Sequence, residues 1–224
     1  MKKFHNLSKR IFDLLFSIVG IVLLSPLLAV IAIAIRIDTR GPVIFRQPRI
    51  GKGGKHFNIL KFRSMVVNAE KMGTGLFNFA NDPRVTRVGR FLRNTSFDEL
   101  PQFFNILKGE MSFVGPRPPV TYELGKPEDW DENLWGRCEV KPGVTGYAQI
   151  NGRNELSRDE KTTFDLHYIR DFYRWGLLLD IGIIFVTLYK IIIMEGKYEL
   201  PENMEADGSR IIDPDQSNGL NHSK

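Results

Sequence analysis

Two adjacent carboxylates, Asp98 and Glu99, stand in the stretch TSFDELPQ (95–102) and are the residues of this sequence best suited to chemistry. A carboxylate at a helix N-terminus stays ionised, and phosphates bind at the same position, so the stretch could serve phosphate chemistry. A structural interpretation is also open, because Ser96 and Glu99 have the spacing of a capping box. Pro101 predicts that a helix begins at the acidic pair or just after it, since proline is tolerated only in a first turn.

Basic residues that could bind phosphate are spread around this pair. Arg117 lies between prolines in VGPRPP (114–119), where a rigid frame favours an arginine that holds phosphate through two hydrogen bonds. Lys61 and Arg63 alternate along a predicted strand, and Arg93 ends a series of three arginines at three-residue spacing. Each cation taken singly is more typical of a solvated surface.

The composition indicates one sizeable domain that binds anions. The chain has 224 residues and a formal net charge of +5, which suits phosphates, nucleic acid or an anionic lipid surface. Nucleic acid is not expected, because no helix-turn-helix, RNP or zinc-finger pattern is present. The single cysteine, Cys138, excludes an internal disulfide, and the four histidines are too scattered for a zinc site.

The longest apolar segment covers residues 11–35 and is interrupted near its middle by Ser25 and Pro26. As a straight helix it would be about 37 Å long, which is enough to cross a bilayer. Proline kinks a helix and serine can bond a carbonyl that proline leaves free, so the segment could instead re-enter the leaflet it came from. Basic residues flank both ends, and the positive-inside rule favours this re-entrant helix. The spanning alternative stays open, because spanning helices also contain prolines.

A second apolar stretch, residues 177–194, contains Asp180 and Lys190 and follows an aromatic cluster that ends at Trp175. Internal charges make it a poor spanning helix, and aromatic residues favour the membrane–water interface. We interpret it as an interfacial helix, with a buried core helix as the alternative.

Between these two segments the pattern predicts a mixed α/β body. Residues 41–51 and 55–65 alternate apolar and basic side chains around a glycine-rich turn, which predicts a β-hairpin. The other expected elements are short helices at 66–72 and 100–107, extended chain at 111–120, a glycine-containing loop at 140–153 and a helix at 159–175.

Four motifs follow the broken apolar segment in this order: KFRSM (61–65), TSFDELPQFFN (95–105), SFVGPRP (112–118) and KPGVTGYAQINGR (141–153). Together they resemble the bacterial sugar transferases, and more narrowly the small monotopic polyprenyl-phosphate phosphoglycosyl transferases. The resemblance covers roughly residues 7–195. Several long motifs in register are more specific than any single one, so the resemblance favours the catalytic interpretation of the acidic pair.

The resemblance implies a fold and a reaction. The fold is an α/β, mainly α, monotopic membrane protein with a re-entrant N-terminal helix, a small cytosolic catalytic domain containing a β-hairpin, and interfacial amphipathic helices. The reaction transfers a sugar 1-phosphate from a UDP-sugar to polyprenyl (undecaprenyl) phosphate, releases UMP and requires Mg²⁺. Its product begins the assembly of a cell-surface glycoconjugate such as a lipopolysaccharide or exopolysaccharide.

The resemblance also implies residue roles. Asp98 is expected to be the nucleophile that forms a covalent phosphosugar intermediate, Glu99 its essential partner, and both are expected to hold the metal. Ser25 and Pro26 are expected to break the membrane helix. The expected substrate-binding residues are Lys61, Arg63, Arg93, Arg117, Arg153 and Asp165.

The predicted domains are a re-entrant helix at 1–37, a catalytic domain with interfacial helices at 38–198, and a polar flexible tail at 199–224. We expect a short form of the family at the cytoplasmic face of the bacterial inner membrane, without the multi-helix region of larger relatives. Expected partners are a UDP-sugar, polyprenyl phosphate, downstream glycosyltransferases and a second copy of the chain, and no nucleic acid. The alternatives are a membrane-anchored Mg²⁺-dependent hydrolase of nucleotide-sugars or lipid pyrophosphates, and a non-catalytic interaction protein of the same fold.

Overall fold

A computed structural model of the chain describes residues 2–72, 82–122, 124–152 and 156–193, so that Arg153 and the polar tail lie outside the described residues. Within these ranges the chain is mainly helical with short strands, as the predicted fold class requires. In chain order the elements are α1 (Lys2–Asp38), β1 (Ile44–Ile50), β2 (His56–Phe62), α2 (Arg87–Thr95), α3 (Gln102–Lys108), β3 (Ser112–Val114), α4 (Glu132–Arg137), β4 (Gly143–Thr145), α5 (Tyr147–Ile150), α6 (Arg158–Trp175) and α7 (Leu177–Ile193).

Helix α1 is one helix of 37 residues that continues through Ser25 and Pro26, whereas the sequence predicted a break there. Pro26 has no N–H to donate to the Val22 carbonyl, and the Ser25 hydroxyl donates to that carbonyl instead, at 2.8 Å. The serine thus replaces the bond that the proline removes, and the helix is not interrupted. Among the described residues, α1 is the one helix that is long and apolar enough to cross a membrane, judged by length and composition. Only 11% of its most apolar 18-residue stretch is buried inside the protein.

Both halves of α1 contact the same body of the protein. In the N-terminal half, the Asp13 carboxylate accepts hydrogen bonds from the Ser112 hydroxyl at 3.0 Å and from the N–H of the next residue at 3.2 Å. In the C-terminal half, Ile31 and Ile35 are buried in an apolar cluster with side chains from β2 and α2. The middle of the helix, around Ser25, is exposed. Both ends of α1 are thus attached to one body, and the re-entrant course of the helix stays a prediction.

Strands β1 and β2 form the predicted hairpin and pair antiparallel over all seven residues of each strand. A 3₁₀ turn at Lys52–Gly54 joins them. The predicted helix at 66–72 is wrong, because only a 3₁₀ turn at Ala69–Lys71 forms there. Asn68 precedes that turn in the left-handed conformation (φ 64°), which an α-helix does not accommodate.

Strands β3 and β4 pair in parallel, although the sequence predicted only a loop from residue 140 onward. The two backbones approach closely at Gly143, where a Cβ atom would lie 2.1 Å from the backbone nitrogen of Gly115. The glycines interpreted as turn residues therefore include one that allows close backbone approach. Helix α5, which follows β4, was also not predicted.

Helix α6 confirms the helix expected at 159–175. Ser157 and Glu160 form a capping box at its start, with each side chain bonded to the other residue's backbone N–H. Further along, Tyr168 and Phe172 are almost completely buried in an apolar cluster shared with β3 and α7.

Helix α7 has one packed face and one exposed face. Asp180 on the packed face is 1% exposed and pairs with the ammonium group of Lys9 from α1. Its carboxylate also accepts a hydrogen bond from the Tyr168 hydroxyl at 2.9 Å. On the other face, Leu178 is 74% exposed and Ile192 is 78% exposed. This exposed apolar face favours the interfacial interpretation over a buried core helix.

Candidate active site

The acidic pair lies in a single 3₁₀ turn, Phe97–Glu99, between α2 and α3. Ser96 precedes it in the left-handed conformation (φ 60°), and in this described part of the chain its side chain makes no capping bond. The capping-box interpretation is therefore wrong. The α-helix also begins later than predicted, at Gln102 after Pro101. The left-handed Ser96 ends helix α2, and its N–H donates to the carbonyls of Arg93 and Leu92, as in a common type of helix C-cap.

Glu99 is the centre of an ionic cluster with two cations. Its Oε1 atom lies 2.8 Å from the ammonium nitrogen of Lys61 and 3.5 Å from the guanidinium of Arg117. The Lys61 and Glu99 side chains are 17% and 12% exposed, whereas that of Arg117 is 41% exposed. Burial lowers the pKa of Lys61, while the charges of Glu99 and Asp98 oppose this shift. The cluster thus combines two carboxylates with two cations, one of which is open to solvent.

The strand that carries Lys61 is fixed to helix α3 by a buried asparagine. The side-chain oxygen of Asn105 accepts from the Leu60 N–H at 2.9 Å, and its amide nitrogen donates to the Asn58 carbonyl at 2.8 Å. Asn105 is fully buried. These bonds hold β2 against α3. They therefore determine the position of Lys61 relative to the 3₁₀ turn that precedes that helix.

Arg117 lies among three prolines, and its own carbonyl and those of the prolines each accept a hydrogen bond. Prolines have no N–H, so such a segment is fixed mainly through its carbonyl groups. Two of the donors are arginines whose role could not be predicted from sequence, because it depends on contacts between distant segments. The carbonyls of residues 116 to 119 accept, in order, from the N–H of Gly143 at 2.9 Å, the guanidinium of Arg137 at 3.1 Å, the guanidinium of Arg49 at 2.8 Å and the N–H of Ile50 at 3.1 Å.

The structure places Asp165, an expected substrate-binding residue, against Arg137 and outside the ionic cluster. The two charged groups are 2.6 Å apart, and their side chains are 1% and 8% exposed. Burial raises the pKa of Asp165 to about 6, although the charge of Arg137 acts in the opposite direction. Asp165 therefore reaches the site indirectly, through Arg137 and the carbonyl of Arg117.

Arg63 lies beside the C-terminal end of α1, and its contact with substrate stays a prediction. It is 5% exposed and donates to the backbone carbonyl of Thr39 at 2.7 Å and to its hydroxyl at 2.8 Å, just after α1 ends. The buried guanidinium thus serves the C-terminal end of α1, where carbonyls lack helical partners. Arg93 lies in the last turn of α2, three residues before Ser96, and its substrate contact stays a prediction. The same holds for Arg153, outside the described residues.

An open cavity of about 350 Å³ borders the ionic cluster. Glu99 and Arg117 form part of its wall, whereas Asp98 is not among the residues that line it. A mainly apolar wall with a few convergent polar groups is typical of small-molecule sites. The apolar side chains of the wall include Phe103, Phe113, Val144, Ile150, Ile184 and Leu188.

The two adjacent carboxylates fit a magnesium ion that binds together with phosphate. No group of three or more His, Cys, Asp or Glu side chains in the described ranges is placed to hold a metal ion. Mg²⁺ does not require such a group, because it keeps water ligands and binds through one or two carboxylates and substrate phosphates. Asp98 and Glu99 supply carboxylates of this kind beside the open guanidinium of Arg117.

This arrangement suits the transfer of a phosphoryl group. Two fixed cations can offset the charge of a polyanionic substrate, and a carboxylate beside them can attack phosphorus. Most of the catalysis in such a transfer comes from positioning and electrostatic stabilisation. The neighbouring cavity can admit a group that the phosphate carries.

Comparison with known proteins agrees with this chemistry. A family model described as bacterial sugar transferase matches residues 4–194. The chain is 45% identical over 206 residues to an undecaprenyl-phosphate glucose phosphotransferase of Komagataeibacter xylinus, covering 88% of this chain and 38% of that protein. It is 40% identical over 211 residues to an undecaprenyl-phosphate galactose phosphotransferase of Salmonella typhimurium, covering 88% and 43%.

A shorter relative is covered almost completely. The exopolysaccharide production protein ExoY of Sinorhizobium fredii is 38% identical over 207 residues, which are 86% of this chain and 89% of that protein. The chain thus spans only about two-fifths of the glucose and galactose phosphotransferases.

Proposed function

Because the chain belongs to the bacterial sugar transferase family, we propose that it transfers a sugar 1-phosphate from a UDP-sugar to undecaprenyl phosphate and releases UMP. The names of the relatives support undecaprenyl phosphate as the acceptor and a hexose such as glucose or galactose as the sugar. The observation that carries the proposal is the ionic cluster, in which Lys61 and Arg117 flank Glu99 one residue after Asp98.

The proposed reaction has two displacements at the same phosphorus atom. In the first, a carboxylate oxygen of Asp98 attacks the sugar-bearing phosphorus of the UDP-sugar. A bond from oxygen to phosphorus forms, the bond to the bridging oxygen breaks, and UMP leaves with the electron pair. In the second, a phosphate oxygen of undecaprenyl phosphate attacks the same phosphorus and restores the Asp98 carboxylate. Covalent catalysis thus divides one difficult transfer into two steps.

The cations of the cluster explain how a carboxylate can approach a polyanion. Arg117 is the more exposed cation, and its planar fork suits two bonds to a phosphate. Lys61 adds a second positive charge from the strand side, and Glu99 holds both cations in place. When bound, Mg²⁺ would be held by Asp98 and Glu99 with substrate phosphates, and would neutralise charge on the transferred group.

We further propose a monotopic position on the cytoplasmic face of the inner membrane. The exposed apolar faces of α1 and α7 support it, with Leu23 at 72% and Ile192 at 78% exposure. Both halves of α1 also contact one body, and basic residues flank both ends. A site that joins a soluble nucleotide-sugar to a lipid phosphate must lie at such an interface. The lipid-linked product would then be extended by downstream glycosyltransferases.

The proposal is tested by UMP release over a panel of UDP-sugars, beginning with UDP-glucose and UDP-galactose. We expect continuous release with at least one sugar when undecaprenyl phosphate is present, and at most one UMP per protein molecule when it is absent. Continuous release without acceptor would instead indicate a hydrolase. Absence of release with every sugar would indicate a non-catalytic protein. Asp98→Asn serves as the inactive control.

A further inference from the structure

Gln149, on helix α5, lines the cavity beside the ionic cluster with a buried and unpaired amide. Its nitrogen and oxygen atoms are both buried, and neither makes a hydrogen bond to any group in the described part of the protein. Buried polar groups in native proteins are almost always bonded, because an unpaired one loses its bonds to water without replacement. An amide left unpaired in a cavity wall therefore indicates a partner that the ligand brings.

Four other polar side chains of the same wall already have partners. The Thr145 and Thr187 hydroxyls are 2.6 Å apart and bond each other, and the Thr187 hydroxyl also donates to the Ile183 carbonyl at 2.8 Å. Glu99 and Arg117 pair with each other at 3.5 Å. Gln149 thus differs from these neighbours in having its full bonding capacity available.

The backbone next to Gln149 leaves room for its amide. A Cβ atom at Gly146 would lie 3.1 Å from the Gln149 side-chain oxygen and 2.3 Å from the Gly115 carbonyl oxygen. Glycine at position 146 therefore permits α5 to start tightly against the segment after β3. This packing holds the amide in the wall of the cavity, on the same side of the fold as Arg117.

We propose that the Gln149 amide binds hydroxyl groups of the transferred sugar and helps to determine which UDP-sugar is used; this inference rests on the proposed function. An amide offers two donors and an acceptor, which suits hydroxyl groups because they both donate and accept. An isoprenoid chain has no hydrogen-bonding atom for it. The sugar is bonded directly to the phosphorus that reacts at the cluster, whereas the nucleoside is one phosphate further away.

The role of the sugar in both displacements supports this assignment. UMP leaves after the first step and the lipid arrives for the second, but the sugar stays on the protein throughout. A polar contact to the sugar therefore acts in both steps, and a change to it should alter the preference among sugars rather than the requirement for acceptor.

The test replaces the amide by an apolar group of similar length in Gln149→Met. The measured quantity is kcat/KM for the preferred UDP-sugar, for its C4 epimer and for deoxy analogues of the preferred sugar. We expect a loss of about tenfold or more for the preferred sugar, and a smaller preference over the epimer. For the analogue that lacks the hydroxyl bound by Gln149, the native protein and the variant should have equal kcat/KM.

A matched control and a second variant keep the test decisive. Asn151→Met removes an amide from the exposed residue that follows α5, outside the cavity wall, and should keep the native order of preference. If Gln149→Met fails to fold, Gln149→Asn, which shortens the amide by one methylene, replaces it in the same comparison.

Three outcomes would overturn the inference. An equal loss for all UDP-sugars and deoxy analogues would assign the amide to the nucleoside or to structure. A change confined to the KM of undecaprenyl phosphate would assign it to the lipid. Unchanged kcat/KM and preference would leave it without a ligand. By contrast, if the native protein releases UMP from no UDP-sugar, the proposed function itself fails.

Discussion

At the scale of single residues, the two carboxylates of the acidic pair have different surroundings. The Glu99 carboxylate lies between Lys61 and Arg117, and such close cations hold it in one place and reduce its tendency to attack. Asp98 shares the turn with Glu99, and its charge also acts on Lys61. We therefore expect Glu99 to position the cations and Asp98 to form the covalent bond.

Asp98→Asn and Glu99→Gln should separate these roles. Asp98→Asn should lose the phosphosugar adduct, measured by intact mass after incubation with the UDP-sugar, because the amide is not a nucleophile. Glu99→Gln should lower turnover by at least about 100-fold, because an amide cannot offset the two cations. If Asp98→Asn kept near-native turnover, the acidic pair would have a structural role and not a catalytic one.

Arg137 and Asp165 should support activity through the Arg117 carbonyl. Removing one of them would leave a buried charge, so the informative variant replaces both, Arg137→Met with Asp165→Leu. Such a replacement is often neutral for stability, whereas the Arg117 carbonyl loses its donor. We expect a folded protein by thermal unfolding, with kcat/KM for UMP release lowered about tenfold. Native kcat/KM in a folded double variant would show that the other three carbonyl bonds are sufficient.

The raised pKa of Asp165 should make stability fall as pH rises. The pKa is about 6 in the folded protein and 3.8 for an ordinary aspartate, so the folded state holds more protons between these values. Protonated Asp165 therefore contributes about 3 kcal/mol to the free energy of unfolding. This contribution is complete below about pH 4 and is lost as the pH rises through about 6. Unfolding of the native protein and of Asp165→Asn should show this change as a difference between the two pH curves. Parallel curves would mean that Asp165 ionises normally.

The residues that form the ionic cluster could be predicted from sequence, since Lys61, Asp98, Glu99 and Arg117 stand in recognisable motifs. The supporting residues could not be predicted. Arg137, for example, donates to the carbonyl of Arg117 in another segment of the chain, and the sequence around Arg137 contains no pattern that indicates this bond. Charge also does not reveal burial, so the sequence did not indicate that the side chains of Arg63 and Asp165 are buried.

At the scale of elements, those with a repeating pattern were predicted and those without one were not. The hairpin and α6 follow the alternation and periodicity of their sequences. Strands β3 and β4 have three residues each, too few to show a period, and they pair because Gly143 permits close approach. In α1, the sequence allows but does not require the bond from the Ser25 hydroxyl to the Val22 carbonyl.

Ser25→Ala should destabilise α1 because it removes the donor to the Val22 carbonyl. In hydrocarbon no water replaces that bond, so we expect a loss of about 1–2 kcal/mol by thermal unfolding in lipid nanodiscs. Adding Pro26→Ala should restore stability, because residue 26 then regains an N–H that donates to Val22. The control is Ser8→Ala, whose hydroxyl donates to the His5 carbonyl at 3.0 Å without a nearby proline. Equal effects of the two serine variants would contradict this account.

At the scale of the whole molecule, many large apolar side chains of α1 and α7 are exposed, and a large exposed apolar patch is typical of a surface that another phase or molecule covers. The two helices are tied together by the buried pair of Lys9 and Asp180. A membrane leaflet would cover the exposed faces while the body that carries the ionic cluster stays in water. This requires that both ends of α1 and the body lie on one side of the membrane.

Cysteine labelling tests that topology directly. Lys3→Cys and Arg40→Cys place exposed thiols beside the two ends of α1, and Lys126→Cys places one on the body, each in a Cys138→Ser background that removes the native thiol. If α1 is re-entrant, all three positions should resist a membrane-impermeant thiol reagent in intact cells and react once the membrane is opened. Protection of Lys126→Cys and Arg40→Cys together with labelling of Lys3→Cys from outside would mean that α1 spans the membrane. In that case the contacts of Asp13 and Lys9 with the body could not form in the bilayer, since the N-terminal half would be drawn away from it.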